Sequence, residues 1–158
     1  MKMLHIDSSA LGAQSVTREL GAAVVARWQD AVPGLTIAYR DLDANPLPHL
    51  SGGSLAKVDP SEAADAEQVL AQFLAADVVV IGAPMYNFAI PSTLKAWIDR
   101  ISVAGKTFRY AQAGPEGLAG GKRVIVASGR GGLHAGAASD FVEPYLEFVF
   151  GFMGIKGI

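Results

Sequence analysis

The stretch VVVIGAPMYNF, from Val78 to Phe88, decides the fold predicted for this chain of 158 residues. Four β-branched residues in succession, Val78–Ile81, are typical of a strand that is covered on both faces, as in parallel sheets. The strand, predicted over Asp77–Gly82, ends in the turn Met85–Phe88. A helix follows from near Pro91, because proline is well tolerated in a first helical turn. The stretch therefore predicts a buried strand, a turn with aromatic and polar residues, and a helix.

Strands and helices alternate along the rest of the chain. The other predicted strands are short apolar runs: Met3–Ile6, Leu35–Tyr39 and Arg123–Ala127. Helices are predicted where apolar residues recur at steps of three and four. The first begins at Ser15, ends before Pro33-Gly34 and has as its inner face Leu20, Ala23, Val24, Trp28 and Ala31.

Two further helices and two loops complete this prediction. One helix covers Ser61–Ala75, and Asp140 caps a last helix that contains Phe141, Tyr145 and Val149. Loops are predicted at Asp41–Asp59 and at Thr107–Gly121, the latter with a small hairpin. Alternating strands and helices indicate an α/β fold, with a parallel sheet covered by helices on both faces, in a single domain over residues 1–158.

Composition narrows the classes of function. Hydrophobic residues make up 51 % of the chain and the net charge is −2, without a basic block, so nucleic acid is not expected as a partner. There is no cysteine, and the three histidines are far apart, so no metal site is predicted. Neither a signal-peptide core nor an apolar run of about 18 residues is present, so we expect no membrane segment and a cytoplasmic location.

Three turns follow predicted strands and should meet at one edge of the sheet, where ligands bind in such folds. The first turn, Ser8–Thr17, offers helix N-terminal N–H groups and the hydroxyls of Ser9, Ser15 and Thr17 to an anion, or is an ordinary cap. The second turn, Ala83–Phe88, offers rings and an amide to a flat ligand, or folds its aromatics into the core.

The third turn, Ser128–His134, has three glycines in four residues. Glycine lets the backbone approach a ligand closely, although a merely flexible connection has the same composition. His134 is the only histidine near the expected site, where it would hydrogen-bond or donate a proton, or else be solvated.

Together these turns resemble the FMN-dependent NADH-azoreductases, a branch of the flavodoxin-like quinone reductases. The resemblance spans nearly the whole chain. It is carried by Ser8-Ser9, Ser15–Thr17, Arg40–Leu42 with Asn45-Pro46, Ala83–Phe88, Thr107–Tyr110 with Gly114–Leu118, and Arg130–Gly132 with His134.

The resemblance implies a flavodoxin-like three-layer sandwich with strand order 2-1-3-4. It implies a reductase that passes two electrons from NADH or NADPH through FMN to azo compounds and quinones in a ping-pong cycle. The implied FMN contacts are Ser9, Ser15, Val16, Thr17, Met85, Tyr86, Asn87, Phe88, Gly129, Arg130, Gly131 and Gly132. The flavin carries the chemistry, with His134 as an auxiliary group.

A homodimer is also implied, with Tyr110 and Phe152 in the substrate pocket at its interface. The sequence departs from the family at Gly129, where serine is usual, and in a shorter 51–67 region that normally covers the flavin. The fifth strand and last helix of the family are missing after Ile158, which leaves the fourth strand at an edge and predicts a C-terminally truncated domain. The alternative functions are a flavodoxin-like electron carrier without a small-molecule acceptor and an inactive fragment.

Overall fold

The computed structural model describes all 158 residues and contains a four-stranded parallel sheet. Its strands are β1 (Lys2–Asp7), β2 (Thr36–Asp41), β3 (Val78–Pro84) and β6 (Arg123–Gly129), and they lie in the order β2-β1-β3-β6. An antiparallel hairpin of β4 (Phe108–Ala111) and β5 (Gly114–Gly117) stands apart from the sheet. The helices are α1 (Val16–Ala31), α2 (Gly52–Leu55), α3 (Pro60–Ala75), α4 (Ser92–Ile101) and α5 (Glu143–Phe152). The α/β class, the order 2-1-3-4 of the sheet strands and the small hairpin are confirmed.

The central strand β3 is buried along its whole length, as its β-branched run predicts. Its side chains alternate between two apolar clusters, because successive residues of a strand point to opposite faces. Val79 and Ile81 join a cluster of 22 buried residues under α3, α4 and α5, in which Phe73 meets Trp97 edge-on. Val78 and Val80 join a smaller cluster under α1. Helices therefore cover both faces, and the three-layer arrangement is confirmed.

Helix α1 packs on a different face from the predicted one. Its buried residues are Thr17, Gly21 and Val25, whereas Leu20 is 46 % exposed and Ala23 and Ala31 are exposed. A Cβ at position 21 would lie only 2.8 Å from Nε2 of His5, so the missing side chain lets the helix backbone sit directly on β1. The buried face of α1 is therefore displaced by about one residue along the sequence from the predicted face. Val24 and Trp28, which were predicted to be inward, pack at the margin of the interface.

One predicted loop and the ends of two predicted strands also need correction. The predicted loop Asp41–Asp59 contains the short helix α2, which begins with a capping box between Ser51 and Ser54. Strands β3 and β6 run two residues further than predicted, so Ala83, Pro84, Ser128 and Gly129 are strand residues.

The fourth strand of the sheet, β6, lies at an edge as predicted, and part of that edge is covered. Val124 donates its N–H to the Gly157 carbonyl, and Gly157 forms a parallel bridge with Arg123 at the start of β6. The remainder of β6 has no strand partner on that side. No helix has the length and apolar character needed to cross a membrane.

Candidate functional site

The first, second and third turns meet where the strand order reverses between β1 and β3. In the parallel register Asp7 lies beside Gly82, and Pro84 lies beside Gly129, so all three strands end at one edge. Ser8 donates its hydroxyl to the Gly82 carbonyl at 2.6 Å, and Met85 donates its N–H to the Gly129 carbonyl at 2.7 Å. These bonds hold the turns together at the edge where ligands bind in doubly wound sheets.

The first turn combines a capped helix with free donors. The Ser15 hydroxyl accepts the Arg18 N–H at 3.3 Å and bonds the Thr17 hydroxyl at 3.0 Å. The N–H groups of Val16 and Thr17, at the start of a helix of 16 residues, have no partner within the chain. The cap that the sequence suggested is therefore present, and it leaves N–H groups and the positive end of the helix dipole available to an anion.

The second turn is a tight reversal in an unusual backbone conformation. Tyr86 and Ala89 exchange two backbone hydrogen bonds, and the residues between them, Asn87 and Phe88, have φ values of 50° and 69°. Positive φ is strained for a bulky residue, and such strain is often found at functional sites. Met85 packs on the core, whereas Asn87 and Phe88 are exposed. Tyr86 is half-buried and belongs to neither core cluster, so neither aromatic ring of this turn is folded into the core.

The tyrosine of the second turn ties it to the first. The Tyr86 hydroxyl lies 3.1 Å from the Ser9 hydroxyl and accepts the Ala10 N–H at 3.1 Å. Ser9 is buried, and its hydroxyl also accepts the Leu11 N–H at 3.3 Å.

In the third turn the arginine side chain is engaged elsewhere. The Arg130 guanidinium pairs with Asp140 at 2.7 Å and Glu143 at 2.5 Å, so its positive charge is neutralised within the chain. Asp140 also accepts the Val142 and Glu143 N–H groups just ahead of α5, but the N-cap position of this helix is Val142, two residues after the predicted cap. The N–H groups of Gly131 and Gly132 donate to nothing within the chain.

His134 stands at the end of the third turn, beside the second. Its ring meets the Phe88 ring edge-on with centroids 5.9 Å apart, and Nδ1 lies 3.0 Å from the Ser139 hydroxyl. The predicted auxiliary residue therefore lies next to an exposed wall of the site.

A cavity of about 950 Å³ opens beside the second turn. Its lining includes Tyr86 and Asn87 together with Lys95, Phe141, Tyr145 and Phe148, which the sequence did not assign to a site. Phe141 and Phe148 are 59 % and 74 % exposed. The sequence did contain a signal for this lining, because Phe141, Tyr145 and Phe148 follow one another at steps of four and three residues.

The two residues predicted for the substrate pocket form a separate aromatic group. Phe108 lies 5.7 Å from Tyr110 and 4.8 Å from Phe152, measured between ring centroids. Neither Tyr110 nor Phe152 lines the cavity beside the second turn. Their place in a pocket stays a prediction.

An arginine near the start of α1 closes the β2 side of the first turn. Arg18 donates to both carboxylate oxygens of Asp41, at 2.6 and 2.7 Å. This hydrogen-bonded pairing lowers the pKa of the Asp41 carboxyl to about 2, with help from the N–H groups of Ala44 and Asp43 and against the effect of burial.

Known proteins resemble the chain throughout its length. The profile of a family described as a flavodoxin-like fold matches residues 1–158. The FMN-dependent NADH:quinone oxidoreductase 1 of Xanthomonas axonopodis pv. citri (strain 306) is 65 % identical over 158 residues, which are 100 % of this chain and 82 % of that protein.

Two solved structures superimpose closely. The azoreductase from Bacillus anthracis str. Sterne is 32 % identical with a TM-score of 0.87, over 99 % of this chain and 83 % of that one. The FMN-dependent NADH-azoreductase from Bacillus anthracis str. Ames Ancestor in complex with FMN is 25 % identical with a TM-score of 0.89, over 99 % and 83 % of the two chains.

Gly129→Ala should disturb the first turn. The added Cβ would lie 2.8 Å from Cγ2 of Thr17, so Thr17 must rotate and lose its bond to Ser15. We expect a loss of about 1–2 kcal/mol in the free energy of unfolding, measured in urea. Gly131→Ala is the control, because nothing lies within 4 Å of its Cβ position. The pair Gly129→Ala/Thr17→Ser should be more stable than the sum of its single changes predicts, and strict additivity would contradict the contact.

Asp41 should contribute a pH-dependent part of the stability. A carboxyl whose pKa is lower in the folded than in the unfolded chain stabilises the fold above about pH 4, and this contribution disappears as the pH falls towards 2. Asp41→Asn should therefore lose roughly 1 kcal/mol at pH 6, allowing for solvent screening, with the gap to wild type closing near pH 2. Urea unfolding from pH 2.5 to 6, with the exposed Asp43→Asn as control, measures this. A gap independent of pH would refute it.

Proposed function

The chain belongs to the family with the flavodoxin-like fold, and from this premise we propose that it is an FMN-dependent oxidoreductase that passes two electrons from NADH to quinones and azo compounds. A relative 65 % identical over the whole chain is named for NADH:quinone oxidoreduction. A cytoplasmic location is part of the proposal, because NADH is supplied there.

The observation that carries the proposal is the meeting of three turns whose free donors differ in kind. The first turn presents hydroxyls and helix N-terminal N–H groups, which suit the phosphate end of FMN. The second presents the exposed Asn87 amide and Phe88 ring, which suit the edge of a flat heterocycle. The third presents the free N–H groups of Gly131 and Gly132, which suit ring carbonyl oxygens. The residues present therefore fit FMN.

The chain's own residues would bind FMN, orient it and shield it from water. When bound, FMN would supply two-electron chemistry, between hydride from NADH and the acceptor, in the alternating order of a ping-pong cycle. Fixed N–H dipoles at Gly131 and Gly132 would stabilise negative charge on the ring without reorganising. The rings of Phe88 and Tyr145 would exclude water, and the cavity beside the second turn gives a flat acceptor room to enter.

His134 has the auxiliary role in this proposal. Its Nδ1 is held by Ser139, and its Nε2 makes no hydrogen bond within the chain. That nitrogen would be the atom that hydrogen-bonds or gives a proton to the acceptor.

Purified protein should take up FMN and oxidise NADH. We expect flavin absorption bands, release of FMN on denaturation, and continuous consumption of NADH with a quinone or an azo dye, with parallel lines in double-reciprocal plots. Ser9→Ala should weaken FMN binding about tenfold, because it removes the hydroxyl shared by Tyr86 and Leu11.

Ser61→Ala, on an exposed position of α3, is the matched control and should bind FMN as wild type does. A protein that binds FMN but does not turn over NADH with any acceptor would be an electron carrier instead. A colourless protein that does not take up added FMN would refute the proposal.

We also propose that two copies form a homodimer that covers the cavity beside the second turn. Phe141 and Phe148 at its rim are more than half exposed. Exposed apolar groups of this kind, gathered at one place, are typical of interaction surfaces. A second copy would also bring the aromatic group of the exposed Tyr110 and the half-buried Phe152 within reach of a pocket, as the predicted assignment requires.

Sedimentation should give twice the mass of the chain. Phe148→Glu should shift the protein towards the monomer, because a charge would be buried in the interface. Leu55→Glu, of similar exposure but on α2 and away from the cavity, should leave the mass unchanged. A monomeric wild-type protein at micromolar concentration would contradict the homodimer.

A further inference from the structure

Two carboxylates lie side by side where β1 and β2 end. Asp7 and Asp41 are partners in the parallel register, and the repulsion between their negative charges destabilises this pairing. Arg18 offsets the repulsion, since its guanidinium bonds both oxygens of Asp41 and lies 3.7 Å from Oδ2 of Asp7. The three side chains are 6–20 % exposed. With two carboxylates beside it, Arg18 has its positive charge neutralised within the chain.

The same guanidinium also holds the backbone of the first turn. Nη2 of Arg18 donates to the Ser9 carbonyl at 2.9 Å. That carbonyl belongs to the same peptide group as the Ala10 N–H, which donates to the Tyr86 hydroxyl. In a trans peptide the C=O and N–H point in opposite directions. Arg18 at one end and Tyr86 at the other therefore set which way this peptide faces.

The geometry points to Arg18 as a positioning residue that, held by Asp41, keeps the Ser9–Ala10 peptide turned so that its N–H faces the second turn. This inference rests on the proposed function, in which the first turn receives the phosphate of FMN. Arg18 acts through the peptide orientation and not through its charge. It gives a role to Asp41 in the Arg40-Asp41-Leu42 stretch, which the site itself does not use.

The test compares FMN with riboflavin, which has the same ring and side chain but no phosphate. Dissociation constants for both are measured by quenching of flavin fluorescence. Arg18→Met should weaken FMN binding about tenfold, because the first turn loses the hydrogen bond that fixes its Ser9–Ala10 peptide, and leave riboflavin binding unchanged. Arg18→Lys should also fail to bind FMN normally, because a lysine lacks the planar fork that reaches Asp41 and Ser9 together. Arg27→Met, on an exposed position of α1, should match wild type.

The possible outcomes distinguish a failure of the positioning role of Arg18 from a failure of the proposed function. Equal weakening of FMN and riboflavin, or full rescue by lysine, would overturn the positioning role while FMN binding by wild type still supports the proposed function. Wild-type protein that binds neither flavin would overturn both. If Arg18→Met does not fold, Arg18→Met/Asp41→Asn removes one of the two carboxylates left without a cation, while Asp7 keeps the Tyr39 hydroxyl as a donor, and it is expected to show the same selective loss of FMN.

Discussion

The parallel alignment of β1, β3 and β6 is the constraint on which the rest of the structure depends. Because β3 is buried on both faces and bonded on both edges, it cannot shift its register without exposing apolar side chains or breaking hydrogen bonds. Its end therefore fixes where the second turn leaves the sheet. The neighbouring strands then bring the first and third turns to the same edge, so the site follows from the packing of the core.

Much of the site is built from backbone groups, while its charged side chains are used for support. Arg130 is held by Asp140 and Glu143, and Arg18 is held by Asp41. What remains free towards the edge of the sheet is a set of N–H groups and short polar side chains. Such a site presents fixed dipoles with little mobile charge, which suits a cofactor that performs its own electron chemistry.

Most of the fold was predictable, because the patterns that encode it are local. The β-branched run of β3 and the alternation of strands and helices each depend on a few adjacent residues. The prediction of the packing face of α1 was wrong, because that face depends on the absence of a side chain at Gly21, where the helix backbone rests on His5. Hydrophobic spacing cannot show such a close approach. The cavity residues of α5 were missed for a related reason, since an aromatic stripe is equally typical of a buried helix face.

The sequence by itself determined the α/β class, the order of its elements and the three turns that could meet a ligand, since propensity and periodicity act over short stretches. Only the tertiary structure decided how those turns are held. The partners of Arg18 and Arg130, the link from Tyr86 to Ser9 and the contact of Gly129 with Thr17 join residues that are distant in the chain or on different elements. These contacts are set by the register of the sheet and by the position at which α1 packs on it. A guanidinium free to meet an anion and one already neutralised look the same in the sequence.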